Sequence, residues 1–481
     1  MCQPTFARSR AEIAAAMGDQ ALSGGGFPAR PVTRLEARRL LLRLPDVFRI
    51  ICPLLFAALL AFGHAGAAEP ASRYSWPFPQ IAAKKGLQIQ MVDDAIALGV
   101  KHAGVNINLT GLVDLAGDTN NPAWESGGRT FRFQRGYLAG LDDQVKRLTD
   151  AGAVVTAIIL TYASGRPELD AVMLHPNYST NCPNHLGQFN SRTPEGRAWF
   201  TATMEFLAER WSRPNQEHGR VANWVIGNEV NSHWFWANCG RVTMEQFADD
   251  YVQVMRLAHD AVRRESANSR VYVSLEHHWN THYPGGDDRQ TFAGRPFLAY
   301  FAQKAREGGD FSWNVAFHPY PENLFEPRTW LDKSATTNVE TTPRITFKNL
   351  ELLPAYLHRP ELRYHGKPRH IILSEQGFHT PDGPDGETLQ AAAYCYAMRK
   401  IATLPEVDSM IMNRHVDHRD EGGLRLGVWR RNEASANPCE PTSKKKIYEI
   451  FRVTDTPDWE PAYAFALPVI GIKSWDELSR P

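Results

Sequence analysis

From about Val92 onward the chain alternates two patterns of apolar and polar residues. Stretches with apolar positions every three or four residues predict helices at 92–98, 138–151, 194–211, 244–264, 296–306, 350–357, 389–404 and 444–452. Gly99 stops the first. Thr193-Pro194-Glu195 starts the third, with Thr as N-cap, Pro at the first helical position and an acid in the first turn. Between the helices lie short, continuous apolar runs: 102–109, 153–160, the start of 223–231, 271–275, 311–317, 370–373 and 409–412. Unbroken runs of this length fit parallel strands buried on both faces. A short hairpin is predicted near 130–133. Seven strands are readable, and an eighth, the first in order, belongs somewhere in 75–90. The repeat is α/β, and the expected fold is a (β/α)8 TIM barrel with long βα loops, the longest at 161–192 and 321–347. A doubly wound open sheet is the alternative, but no GxGxxG follows an early strand.

In such a barrel the chemistry sits at the C-terminal ends of the strands. The fourth run closes on Gly227-Asn228-Glu229-Val230-Asn231 and the fifth on Glu276-His277-His278-Trp279. The sixth closes on His318-Pro319-Tyr320, the seventh on Ser374-Glu375-Gln376-Gly377-Phe378, and the eighth on Asn413-Arg414-His415-Val416-Asp417-His418. Glu229 and Glu375 stand on strands four and seven, across the barrel mouth from each other. That is the pair a retaining glycosidase needs: one group protonates the leaving oxygen and the other attacks the anomeric carbon. Alternation puts Ile371, Leu373 and Glu375 on one face, expected to line the barrel. A solvated strand end paired with a nearby Lys or Arg is the plain alternative for either glutamate. Glu276 is a rival carboxylate, placed to bind a hydroxyl or brace a neighbour. His277, His278 and His282, and likewise His415, Asp417 and His418, lack a recognised ligand spacing, so no metal is expected. His233, Trp234, Trp236 and Trp279 follow strands four and five, where an indole can stack on a sugar ring; packing beneath the loops is the alternative for each. Trp313, in mid-strand, reads as core.

The motifs "GNE" at strand four, "HPY" at strand six and "SEQGF" at strand seven resemble glycoside hydrolase clan A, the retaining barrels with glutamates on those two strands. The resemblance runs from about His102 to Phe451, and the whole chain resembles a bacterial family of secreted barrels of this kind with no assigned function. It implies that Glu229 is the acid/base, Asn228 a contact to the sugar 2-hydroxyl and Glu375 the nucleophile. It also implies that His318 and Tyr320 line the cleft, with Tyr320 bonding the nucleophile. Many clan members end strand two in an arginine that braces the nucleophile. Here that strand reads Val105-Asn106-Ile107-Asn108, and Arg414 on strand eight is the candidate substitute.

Composition narrows the setting. The 481 residues carry 53 Lys+Arg against 53 Asp+Glu, which gives no case for nucleic acid or an acidic membrane surface. No cofactor is expected. The apolar run at 50–62 follows Arg43 and Arg49 and precedes Ala65-Gly66-Ala67, the order of a secretory signal. It is well short of the roughly 20 residues that span a bilayer, so cleavage is preferred to anchoring. The stretch ahead of Val47 is long for a signal's front end and fits a start codon set too far upstream. The expected organisation is a signal over 1–67, an N-terminal segment with a weak first strand over 68–95, the barrel over 96–452 and a C-terminal tail over 453–481. Export to the periplasm or beyond leaves Cys182, Cys239, Cys395 and Cys439, and a Cys182–Cys239 disulfide is expected to tie the third loop to the fourth. Cys395 and Cys439 are a further candidate pair, with a buried free thiol the alternative for Cys395. The resulting reading is a secreted retaining glycoside hydrolase acting on an oligo- or polysaccharide. A non-catalytic sugar-binding barrel is the alternative, and a metal-dependent hydrolase the third.

Overall fold

The computed structural model describes residues 71–479. The expected signal, with Cys2 and Cys52, lies outside them. Eight parallel strands close into a barrel: β1 Lys85–Gln88, β2 His102–Asn108, β3 Val154–Leu160, β4 Val221–Ile226, β5 Arg270–Glu276, β6 Trp313–His318, β7 Ile371–Gln376 and β8 Val407–Met412. Each strand bonds its neighbours in sequence, and β1 pairs with β8 to close the ring. Closure excludes the open-sheet alternative and makes the fold a TIM barrel. Among the described residues no helix is long and apolar enough to cross a membrane.

Most of the strands are largely apolar because two cores need them. Val105, Ile107, Val155, Ile159, Trp224, Val273 and Val315 face the surrounding helices. Ile158, Leu160, Val225, Tyr272, Ala316 and Ile372 fill the barrel, as a period of two requires. On β7 this corrects the expected face. Ile371 and Leu373 belong to the outer core and Ile372 to the barrel interior. The pairing of β7 with β8 loses register between Leu373 and Gln376. That irregularity lets Glu375 reach the barrel mouth, where it meets β1 and β6 side chains, although Leu373 points outward.

β1 was faint because Lys-Gly-Leu-Gln carries one large apolar residue. Lys85 is buried all the same: its ammonium donates to the Leu98 and Arg452 carbonyls, each at 3.0 Å. The expected hairpin is part of a three-stranded sheet in which Arg129–Phe133 lies between Val113–Asp114 and Ala123–Ser126. Its Phe131 and Phe133 pack on Trp199 and Phe206 of helix Pro194–Arg210. Residues 73–78 run past the N-terminal ends of the strands. There Tyr74 bridges to Ser266, Arg220 lies over Trp76 and Arg270 over Phe78.

The expected Cys182–Cys239 disulfide is absent: both are free, buried thiols. The Cys182 thiol is turned onto the Tyr178 hydroxyl, 3.3 Å away within its own loop. The two loops are joined by their main chains instead. Gln188 N–H donates to Asn238 O at 2.9 Å, and Asn238 N–H to Leu186 O at 3.0 Å. Cys395 is likewise a free, buried thiol.

The loop after β6 contains a buried acid whose titration reports on stability. Asp332 is 3% exposed, and burial lifts its carboxyl from 3.8 to about 7 against the opposing bonds from Thr346 and Thr329. Between about pH 4 and pH 7 the unfolded chain therefore loses this proton while the folded chain keeps it. The contribution to stability falls as pH rises through that window and is constant above it. Asp332→Asn is expected to match the parent in thermal unfolding near pH 4. Its advantage should grow towards pH 7.5, up to about 4 kcal/mol. An advantage that does not change with pH would show that the carboxyl ionises alike in both states.

Candidate active site

Glu229 follows β4 in a backbone turn that few side chains adopt. Gly227 has φ +84° and Glu229 itself φ +39°, ψ +50°, in the left-handed region. A non-glycine residue held there costs on the order of 1–3 kcal/mol and persists only where its surroundings fix it. The fixing groups come from the next strand. Ser274 on β5 accepts the Glu229 N–H at 3.0 Å. Glu276 at the end of β5 accepts from Asn231 Nδ2 at 2.7 Å and Ser232 Oγ at 3.2 Å, which pins the turn just past Glu229. The other Glu276 oxygen accepts from the His278 N–H and Nδ1 at 2.9 and 2.5 Å. This corrects the expected substrate contact: Glu276 is occupied by four protein donors and holds the turn that carries Glu229.

The side chain of Glu229 meets β6. His318 Nδ1 lies 3.1 Å from Glu229 Oε1, and His318 Nε2 lies 2.9 Å from Ser374 Oγ on β7. With Glu229 ionised, Nδ1–H donates to the carboxylate and Nε2 accepts the serine hydroxyl, so the tautomer is set by its partners. Tyr320, two residues on, donates its hydroxyl to Glu375 Oε1 at 3.1 Å and accepts from Asn413 Nδ2 at 3.1 Å. Its main chain is locked by His277, whose Nδ1–H donates to the Tyr320 carbonyl at 2.9 Å. Burial, and then the charge of Glu375, hold the Tyr320 phenol well above its ordinary range, so it stays a donor. The same two causes raise Tyr162, just past β3. Ligating atoms of Glu229, His318 and Glu375 all lie within 4.8 Å of one another. Glu229 is 3% exposed and Glu375 8%.

The other expected site residues divide. Asn228 is buried beside Glu229. Trp234 is half-buried and packs on the inner cluster of the barrel with Tyr162 and Tyr283, at the mouth. Three expected contacts are elsewhere. His233 is fully buried between Phe247 and Phe292, with ring centroids at 4.9 and 5.0 Å. Burial pushes its pKa down to about 3. Trp279 is fully buried, its indole N–H donating to Val339 O at 3.0 Å and its ring standing edge-on to Tyr356. In both cases the outer shell of the barrel claims the aromatic body. Arg414 is buried against Glu421 at 2.8 Å rather than against Glu375. Glu276, His277 and His278 could together offer donors to a metal ion, yet each is bonded to protein. Sequence reasoning missed Gln88, Ser274, Ser374, Asn413 and Tyr162. All but Gln88 sit within two residues of a strand end that was read; Gln88 closes the strand whose place was left open.

Residues 77–478 match a family model described as a family of unknown function, DUF5722. No curated protein matches the chain. Among solved structures it is similar to a glucosidase from Croceicoccus marinus, at 13% identity over 79% of this chain and 69% of that one, with a TM-score of 0.46. It is also similar to a family 39 glycoside hydrolase from the gut symbiont Bacteroides cellulosilyticus WH2, at 15% identity over 76% and 60%, TM-score 0.46. A family 1 β-glucosidase from Thermotoga maritima is similar at 12% identity over 75% and 84%, TM-score 0.47.

Proposed function

The chain belongs to the DUF5722 family, and from the geometry at its barrel mouth we propose that it is a retaining glycoside hydrolase acting on a carbohydrate. The observation that carries this reading is the approach of Glu229 and Glu375, whose carboxylate oxygens come within 4.8 Å of each other. An oxygen-to-oxygen approach of that order is nearer the roughly 5–5.5 Å between the carboxyl groups of retaining enzymes than the roughly 6.5–9.5 Å of inverting ones.

In this mechanism a Glu375 oxygen attacks the anomeric carbon as the bond to the leaving oxygen breaks. Glu229 gives that oxygen a proton. Because Oε1 of Glu229 faces the His318 N–H, the proton to be given sits on Oε2. Glycosylation removes the charge of Glu375, which favours Glu229 as the base that then takes a proton from water; the hydroxide releases the sugar. Trp234 and Tyr283 form the aromatic wall against which a sugar ring stacks. The run at 50–62 supports export, which gives the site access to extracellular glycans.

The test is a screen of aryl glycosides and polysaccharides, followed by proton NMR of the first product formed. The retained anomer is expected, unaffected by a chelator. The inverted anomer would overturn the mechanism, and loss of activity in EDTA would favour the metal-dependent reading. The bare end of β2 favours a second reading, a barrel that binds sugar without cleaving it. Saturable calorimetric binding of a glycan that is never turned over would establish that one.

A further inference from the structure

We propose that Gln88, the last residue of β1, is the positioning residue of the nucleophile: its neutral amide clamps Glu375 against Tyr320, in the role that a strand-two arginine would otherwise fill. The inference rests on the retaining reading of Glu229 and Glu375 and adds to it a residue and a chemistry. Gln88 is 7% exposed, and its Nε2 lies 3.4 Å from Glu375 Oε2 and 3.4 Å from Ser374 O. Both partners are acceptors, so the orientation of the amide is settled by its surroundings. Tyr320 holds Oε1 from the β6 side, and Gln88 holds Oε2 from the β1 side, beyond β8. Each oxygen of the carboxylate thus has an uncharged donor within 3.4 Å.

The barrel makes room for this reach. Gln88 stands beside Gly104 of β2 in the strand register. A Cβ at position 104 would lie 3.3 Å from Gln88 Cγ and 3.0 Å from Ile411 Cγ2. Gly104 therefore leaves open the gap through which the glutamine crosses the barrel mouth. The two other candidates for a brace have partners of their own. Asn108, at the end of β2, has its Oδ1 occupied by Thr110 N–H, Thr110 OH and Tyr162 N–H at 3.2, 2.7 and 3.3 Å. Arg414 is bound to Glu421. A hydrogen bond to the charged form favours that form, and a neutral donor on each oxygen fixes the line along which a remaining lone pair attacks.

Gln88→Leu deletes the donor, and Gln88→Glu keeps the shape while reversing its character. Both are read with the full chain, first in kcat/KM against pH on an activated aryl glycoside. The expected result for Gln88→Leu is a loss of up to about 100-fold, carried by kcat, with the acid limb moved to higher pH. Gln88→Glu places a like charge beside the nucleophile and should move the limb further in the same direction. Among the described residues, titratable groups facing Glu375 include Glu229, His318, Tyr320 and Tyr162, with Glu421 acting on Tyr320. All remain in place in both variants. An unmoved limb overturns the proposal, whether activity is kept or lost, because a packing role would change rate without changing ionisation. A second measurement does not depend on turnover. In protein labelled with carboxyl-13C glutamate, the Glu375 resonance is assigned by its loss in Glu375→Gln, and it should titrate at higher pH in both Gln88 variants. If that shift is seen in a protein that cleaves nothing, the clamp stands and the glycosidase reading fails. If the resonance titrates as in the parent, the clamp fails by itself.

Discussion

Glu375→Gln is expected to abolish turnover of every substrate, activated or not. The substitution keeps the shape of the side chain, and the Tyr320 hydroxyl can still donate to its amide oxygen. What it removes is the anionic oxygen that forms the glycosyl-enzyme ester, and none of the other side chains placed around the site can replace it. Removal of a nucleophile that works as one unit with its partner costs on the order of 10⁴-fold or more in kcat. Folding should not suffer, because a buried negative charge 4.8 Å or less from another carboxylate is removed. Thermal unfolding at or above the parental temperature, with turnover lost, is therefore the expected pair of results. Trapping sharpens the test. A glycoside with fluorine at C2 and a good leaving group should label the parent on the Glu375 peptide, as read by mass spectrometry, and leave Glu375→Gln unlabelled. A variant that keeps even a tenth of the parental turnover would show that Glu375 is not the nucleophile.

The strands that were legible are those whose two faces both meet apolar neighbours, since an unbroken apolar run is then the only stable solution. β1 departs from that rule: Lys85 satisfies main-chain carbonyls and Gln88 reaches the site, so its sequence looks polar although its four residues are buried. The two glutamates were legible because an acid that closes an apolar run has few structural reasons to be there. Their geometry was not. Glu229 depends on a left-handed turn and Glu375 on a broken register, and neither follows from alternation. His233 and Trp279 misled for the opposite reason. Residues just past the strand ends can turn up into the cleft or down between loop and helix. Phe247, Phe292 and Tyr356 supply the apolar surface that draws these two down. The third and fourth loops were expected to be stapled by sulfur, but main-chain bonds from Gln188 and Asn238 already join them.

Glu229→Ala should separate the two halves of the reaction. An aryl glycoside with a good leaving group needs little protonation, so its glycosylation step is expected to survive in the variant. Release of the sugar still needs a base to activate water, and that base is gone. The glycosyl-enzyme therefore accumulates, giving a burst of phenol equal to the enzyme present and then a slow steady state. On a natural glycan, whose leaving alcohol must be protonated, both steps fail, and activity should drop by roughly 10²–10⁴-fold, the usual worth of a positioned acid or base. Azide, already an anion, attacks without a base and should restore turnover of the aryl substrate as a glycosyl azide of retained configuration. The cavity left by the side chain gives it a place to enter, beside His318. The same azide should do nothing for Glu375→Gln, since there is no glycosyl-enzyme to intercept. If Glu229→Ala cleaves natural and activated substrates as fast as the parent, the strained turn after β4 serves only the fold and the acid/base lies elsewhere. If it is dead on both and azide rescues neither, Glu229 has taken the nucleophile's part and the two assignments must be exchanged.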